Sequence, residues 1–186
     1  MKPQRIFIVL ALLATGCSVF NHNFHTVEPD VLYRSGQIPD HRLSLYIDQY
    51  GIKTVVNLRG AETDEDWYAE EVAVCEMLGV THHSLDWSMN RLPDPESLAQ
   101  LLDWYETADK PILVHCQGGT HRAGIASSAY VLREGGDVKD ARGQLGFWFM
   151  GAGIGEVLDL YDGNDRPFTQ WVREDYPALY DEAIKR

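Results

Sequence analysis

The stretch Ile112-Leu113-Val114-His115-Cys116-Gln117-Gly118-Gly119-Thr120-His121-Arg122 decides the fold. Its short apolar start reads as a buried strand, and Ala123 to Glu134 follows as a helix that Gly135-Gly136 ends. A strand that carries a cysteine to a sheet edge, with a helix starting a few residues later, is the ligand-binding corner of an open α/β sheet.

The flanking sequence repeats the alternation. Val31 to Gln37 reads as a strand running into a turn; Leu43, Tyr46, Ile47 and Tyr50 then recur at helical spacing before Gly51. Thr54 to Leu58 is β-branched and strand-like, Asp64 to Leu78 is helical with Gly79 closing it, and Val80 to Leu85 is the next strand. Asp94 caps a helix that starts at Pro95 and has Leu98, Leu101, Leu102 and Tyr105 on its apolar face. Asp137 caps another predicted helix, extending to about Phe149, with Phe147, Trp148 and Phe149 expected in the core. A last helix, Phe168 to Lys185, is expected to break near Pro177. Strands alternating with helices give an α/β fold, a single domain over residues 31–186 with a largely parallel sheet.

The loop itself predicts chemistry. Backbone N–H groups between Cys116 and Arg122, with a helix N-terminus behind them, make a concave anion site. Gly118 and Gly119 let that backbone curl, and the positive surroundings favour thiolate over thiol. Arg122 offers a planar fork that takes two oxygens of one phosphate, which lysine does not copy. Cys116 is thus the candidate nucleophile, and Gln117, Gly118, Gly119, Thr120, His121 and Arg122 the candidate substrate-binding residues. Other readings fail on detail. A nucleotide P-loop needs lysine where Ile125 stands, and a zinc site needs a second ligand pair beyond Cys116, His115 and His121. A structural cysteine leaves the two glycines and Arg122 unexplained. His41 and His82-His83 read as surface and strand residues rather than metal ligands. Arg34 and Arg59 are candidates for steering anions, but pairing with the many carboxylates is the simpler expectation.

His115-Cys116 and Arg122 match the His-Cys-x5-Arg motif, and the chain resembles the Cys-x5-Arg protein tyrosine phosphatase superfamily, in its compact dual-specificity branch. Tyr33-Arg34-Ser35-Gly36-Gln37 and Gly51 to Arg59 are similar to upstream segments of its bacterial, plant and fungal members, so the likeness spans about residues 31 to 135. The resemblance implies a four- to five-stranded sheet flanked by helices, a thiophosphate on Cys116, and no metal or other cofactor. It implies phosphotyrosine, a phosphorylated protein or a small phosphomonoester as substrate, and the family's range also takes in inositol phosphates and phosphoinositides. The family's hydroxyl residue after the arginine is replaced by Ala123, so slow breakdown of the intermediate is expected. A weakly active or inactive phosphate- or phosphoinositide-binding module is therefore the second reading, and a rhodanese-like sulfurtransferase the third.

A general acid must protonate the leaving oxygen. Asp86 and Asp94 both lie between a strand and the next helix. Asp94 is accounted for as a helix cap, whereas Asp86 has no such task and precedes Cys116 by thirty residues, as the family's acid commonly does. Asp86 is the candidate.

The chain has 186 residues and a net charge of −12, which argues against nucleic acid as a partner. Lys2 and Arg5, the apolar run Ile6 to Leu13 and Ala14-Thr15-Gly16 before Cys17 read as a signal peptide over residues 1–16. The small residues before Cys17 resemble the lipobox of bacterial lipoproteins. That implies a lipid on Cys17, a tether over residues 17–30 and a periplasm-facing envelope protein, with Ser18 pointing to the outer membrane. Cys75, the third cysteine, sits in a helical pattern and is expected in the core.

Overall fold

The computed structural model describes residues 22–185; the expected signal peptide and Cys17 lie outside them. Five strands form one sheet: β1 (His25–Glu28), β2 (Leu32–Ser35), β3 (Thr54–Asn57), β4 (Thr81–Ser84) and β5 (Ile112–His115). Their order is β1-β2-β5-β3-β4, with β1 antiparallel to β2 and every other pair parallel. The α/β expectation therefore holds, with β5 at the centre and every residue from Ile112 to His115 buried.

Period-two alternation along β5 divides its side chains between two layers. Ile112 and Val114 join the core beneath α3 (Pro95–Thr107) and α4 (Arg122–Arg133), and Cys116 follows on that face. Leu113 joins the second core under α1 (Asp40–Tyr50) and α2 (Asp66–Leu78), where Cys75 also lies. The two thiols thus occupy different cores and both are free. Gly51 and Gly79 close α1 and α2 in the left-handed conformation. Asp94 Oδ1 accepts the Ser97 N–H at 2.9 Å, with Pro95 in the first turn of α3.

Three local expectations are corrected. The stretch read as a tether contains β1, so the folded domain begins before residue 31. Tyr130 Oη of α4 donates to Glu28, fastening that strand. The helix after Asp137 ends early: α5 is Val138–Arg142, and Gly143 and Gly146 give way to a 3-10 turn, Phe147–Phe149. Phe147 and Trp148 are consequently exposed rather than in the core. The C-terminal region is α6 (Glu156–Tyr161), α7 (Phe168–Glu174) and α8 (Tyr176–Ala183), the last two separated at Asp175 beside the expected break.

Candidate active site

Cys116 leaves β5 with its N–H donated to Ser35 O at 3.3 Å, and the loop then curls back over its side chain. Cys116 is 3% exposed, yet its sulfur faces the loop: Gly119 N–H donates to Sγ at 3.2 Å. Only glycine fits at 119. Its φ is +73°, and a Cβ there would lie 2.5 Å from Gly36 N and 2.7 Å from Ser35 C. Gln37 N–H, in the turn after β2, donates to Gln117 O, and Asn23 Nδ2, ahead of β1, donates to Gly118 O. Among the described residues no side-chain hydrogen bond caps α4, whose first residue is Arg122, so its first amides stay available to an anion.

Arg122 is held from one end. Its Nη1 donates to Leu58 O and Trp87 O, each at 3.2 Å. Nε and Nη2 make no side-chain hydrogen bond among the described residues. Arg122 and Gln117 share a polar opening of about 330 Å³ with Arg59, Glu62, Glu65 and Trp67. Burial, then the nearby Arg122 charge, pushes the Arg59 pKa down. Two guanidinium groups, Arg59 and Arg122, thus border this mouth together with the carboxylates of Glu62 and Glu65.

A buried network fixes Arg59. Its Nη1 donates to Gln37 Oε1 at 2.7 Å and its guanidinium lies 3.5 Å over the Trp67 ring. Gln37 Nε2 donates to Glu71 Oε2, and Glu71 Oε1 meets His115 Nε2 at 3.0 Å and His82 Nε2 at 2.9 Å. Burial alone would raise the Glu71 pKa, but His115 and His82 outweigh it and hold the carboxyl well below its ordinary range. The network thus runs from the residue before the nucleophile to the mouth of the site. By contrast, burial and then Glu71 push the Cys75 thiol up to about 12, which leaves it inert.

Arg34 and Arg59, expected in salt pairs, make none among the described residues. His83 stacks on Trp104 at 4.2 Å, and no metal-holding cluster of His, Cys, Asp or Glu occurs among the described residues.

The model of the family described as DSP-PTPase phosphatase fused to NAD+ kinase matches residues 18–156. The chain belongs to this family. As a DSP-PTPase it is similar in fold to the crystal structure of TpbA from P. aeruginosa, with TM-score 0.56, 22% identity, and 89% of this chain and 92% of that one covered. The catalytic core of PP-IP phosphatase SIW14 from S. cerevisiae has TM-score 0.60 and 19% identity, covering 83% of this chain and 93% of its own. No curated protein matches the chain in sequence. Membership supports phosphatase over sulfurtransferase chemistry for the Cys116 loop.

Within the DSP-PTPase site the predicted residues divide. Gln117 and Arg122 face the mouth, Gly118 and Thr120 border a second cavity, and the His121 ring lies 5.5 Å from that of Phe149. Asp86 is exposed on the loop after β4, bridged in antiparallel fashion to Arg59 and adjacent to Trp87, whose carbonyl anchors Arg122. Asp94 spends both oxygens on Ser97: Oδ1 accepts its N–H and Oδ2 its hydroxyl at 2.5 Å. Glu71, Asn23 and Trp67 are site residues that the sequence does not single out, and Gln37 enters there only as the end of a family-like segment. A carboxylate four residues before Cys75, on the buried face of α2, is the signal that points to Glu71.

Proposed function

We propose that this DSP-PTPase hydrolyses phosphomonoesters, phosphotyrosine foremost, through a thiophosphate on Cys116. The observation that carries the proposal is the Gly119 N–H donated to Cys116 Sγ inside the cup that Arg122 closes. In the first step Sγ attacks phosphorus, the P–S bond forms and the P–O bond to the leaving group breaks. Asp86, next to the Trp87 whose carbonyl holds Arg122, gives its proton to the departing oxygen. In the second step Asp86 takes a proton from water as its oxygen attacks phosphorus, and Sγ departs as thiolate. Loop amides and the Nε–Nη2 edge of Arg122 stabilise the equatorial oxygens in both steps. Ala123 is buried and supplies no hydroxyl to the leaving sulfur, so the second step is the slow one.

Phosphotyrosine is favoured because a Cys-to-Ser variant of TpbA, 21% identical to this chain, has been crystallised with pTyr. The loop contains no lysine, which fits a singly phosphorylated substrate better than a highly charged one. The lipobox-like Ala14-Thr15-Gly16-Cys17 supports a lipid-anchored protein facing the periplasm, preferably from the outer membrane. An assay with an aryl phosphate tests the catalytic reading: Cys116→Ser should abolish turnover with the fold intact, and unchanged turnover refutes it.

A further inference from the structure

Across the loop from the mouth lies a second cavity of about 420 Å³, bordered by Gly118 and Thr120. Its size falls in the range of ~300–1,000 Å³ that accommodates small molecules. Arg34, on β2, also borders it and is only 7% exposed. Its Nε and Nη1 are buried with no hydrogen-bond partner among the described residues. Burial pushes its pKa down, and the Cys116 sulfur is the group that opposes this. A buried guanidinium without a paired carboxylate is unfavourable, and an oxyanion offsets this through charge-assisted hydrogen bonds.

The remaining walls suit such a ligand. Among the described residues no carboxylate borders the cavity. His25 Nε2 meets Asn23 Oδ1 at 2.7 Å, and burial together with Arg34 keeps the His25 pKa low. Both Gly118 and Gly146 line the space, and a Cβ on either would meet nothing within 4 Å. Behind Arg34 the packing is tight: a Cβ at Gly124 would lie 3.5 Å from Nη1. Arg34 therefore has α4 packed on its Nη1 side, while the residue also borders the cavity. Trp148, 72% exposed, adds an aromatic rim on the 3-10 turn.

We propose that this cavity is a second, non-catalytic oxyanion site, taking a phosphate or carboxylate whose organic part lies against Trp148. The loop then separates two anions, one reacting at Cys116 and one held at Arg34. The held anion is either a second acidic group of the substrate or a free small oxyanion; the chemistry recognised is the same.

The test uses Cys116→Ser protein titrated with phenyl phosphate and with inorganic phosphate, followed by NMR at the indole N–H of Trp148 and of Trp67. Trp67 reports the mouth and Trp148 the second cavity. Both should shift, with separate saturation curves. Adding Arg34→Met should weaken the Trp148 response by about tenfold or more, the worth of a lost charge-assisted hydrogen bond, and leave that of Trp67. Gly146→Val is the second variant, because Gly146 has φ −68° and accepts a side chain without backbone strain. It should fill the cavity with the same result even if Arg34→Met does not fold. A silent Trp148, or one whose response neither variant weakens, overturns the proposal. A responding Trp148 with a silent Trp67 would fault the catalytic reading and leave this one standing. The source is then read from kinetics on the otherwise wild-type enzyme. A doubly anionic aryl phosphate whose lower KM disappears in Gly146→Val assigns the anion to the substrate. Equal KM values assign it to the free ion.

Discussion

Replacing Arg122 by lysine removes a shape while keeping a charge. In the structure one guanidinium nitrogen, Nη1, is spent on Leu58 O and Trp87 O, and this leaves the opposite edge presented to phosphate. A lysine ammonium has a single nitrogen for both tasks. If it keeps the carbonyls it leaves the phosphate, and if it follows the phosphate it loses its anchors. At least one charge-assisted hydrogen bond to the transition state goes, worth about 1.5–3 kcal/mol, or roughly 10- to 150-fold in rate. Loss of the in-line orientation adds to this, so kcat/KM for an aryl phosphate should fall by about 10²–10³. The fall should appear in kcat as well as KM, because the planar fork matches the trigonal phosphoryl group in flight better than the ground state. Thermal unfolding measured alongside should move little compared with activity. A variant that retains activity within about threefold would show that the two-ended role of Arg122 is wrong.

Three other substitutions test the same geometry. Asp86→Asn should lower turnover of alkyl phosphates by ~10²–10⁴ while sparing substrates with good leaving groups, and Asp94→Ala should instead lower the melting temperature through loss of the α3 cap, worth about 1 kcal/mol. The reverse pattern in a leaving-group series would move the acid to Asp94. Glu71→Ala should cost about 3–5 kcal/mol at neutral pH, since it strands His82, His115 and Gln37. The folded pKa of Glu71 lies below its ordinary 4.5, so its stabilisation is present above that value and is lost as pH falls towards the folded one. Urea unfolding of both proteins at neutral and acid pH should show the gap narrowing on acidification; a constant gap would contradict the assignment.

The parts of the site that are local in sequence are legible from the residues alone. One strand, one loop and one helix carry the nucleophile, the amides and Arg122, and a cysteine–glycine–arginine spacing is enough to recognise them. The cap at Asp94 and the glycine stops at Gly51 and Gly79 are legible for the same reason. What the residues hide is non-local. β1 has polar and half-exposed residues and is recognisable as a strand only through its pairing with β2. Glu71 lies 44 residues from His115, and nothing in the sequence announces that α2 packs over the end of β5. An acidic chain predicts carboxylate partners for Arg34 and Arg59, but the parallel register that sets Arg34 beside Val114 carries its side chain under α4, where none of the described carboxylates reaches it. Hydrophobicity alone places Phe147 and Trp148 in the core. The turn formed after Gly146 turns them outward.

The central claim is that Cys116 carries the phosphoryl group between two chemical steps, and acid quenching during turnover of an aryl phosphate tests it directly. Intact-protein mass spectrometry should find the mass of one phosphoryl group, mapped to Cys116, because breakdown without a hydroxyl at position 123 is slow. Ala123→Ser should raise turnover and reduce that adduct by about tenfold or more, as a hydrogen bond to the departing thiolate would do. No adduct in the presence of hydrolysis, or an adduct that survives Cys116→Ala, would contradict the account.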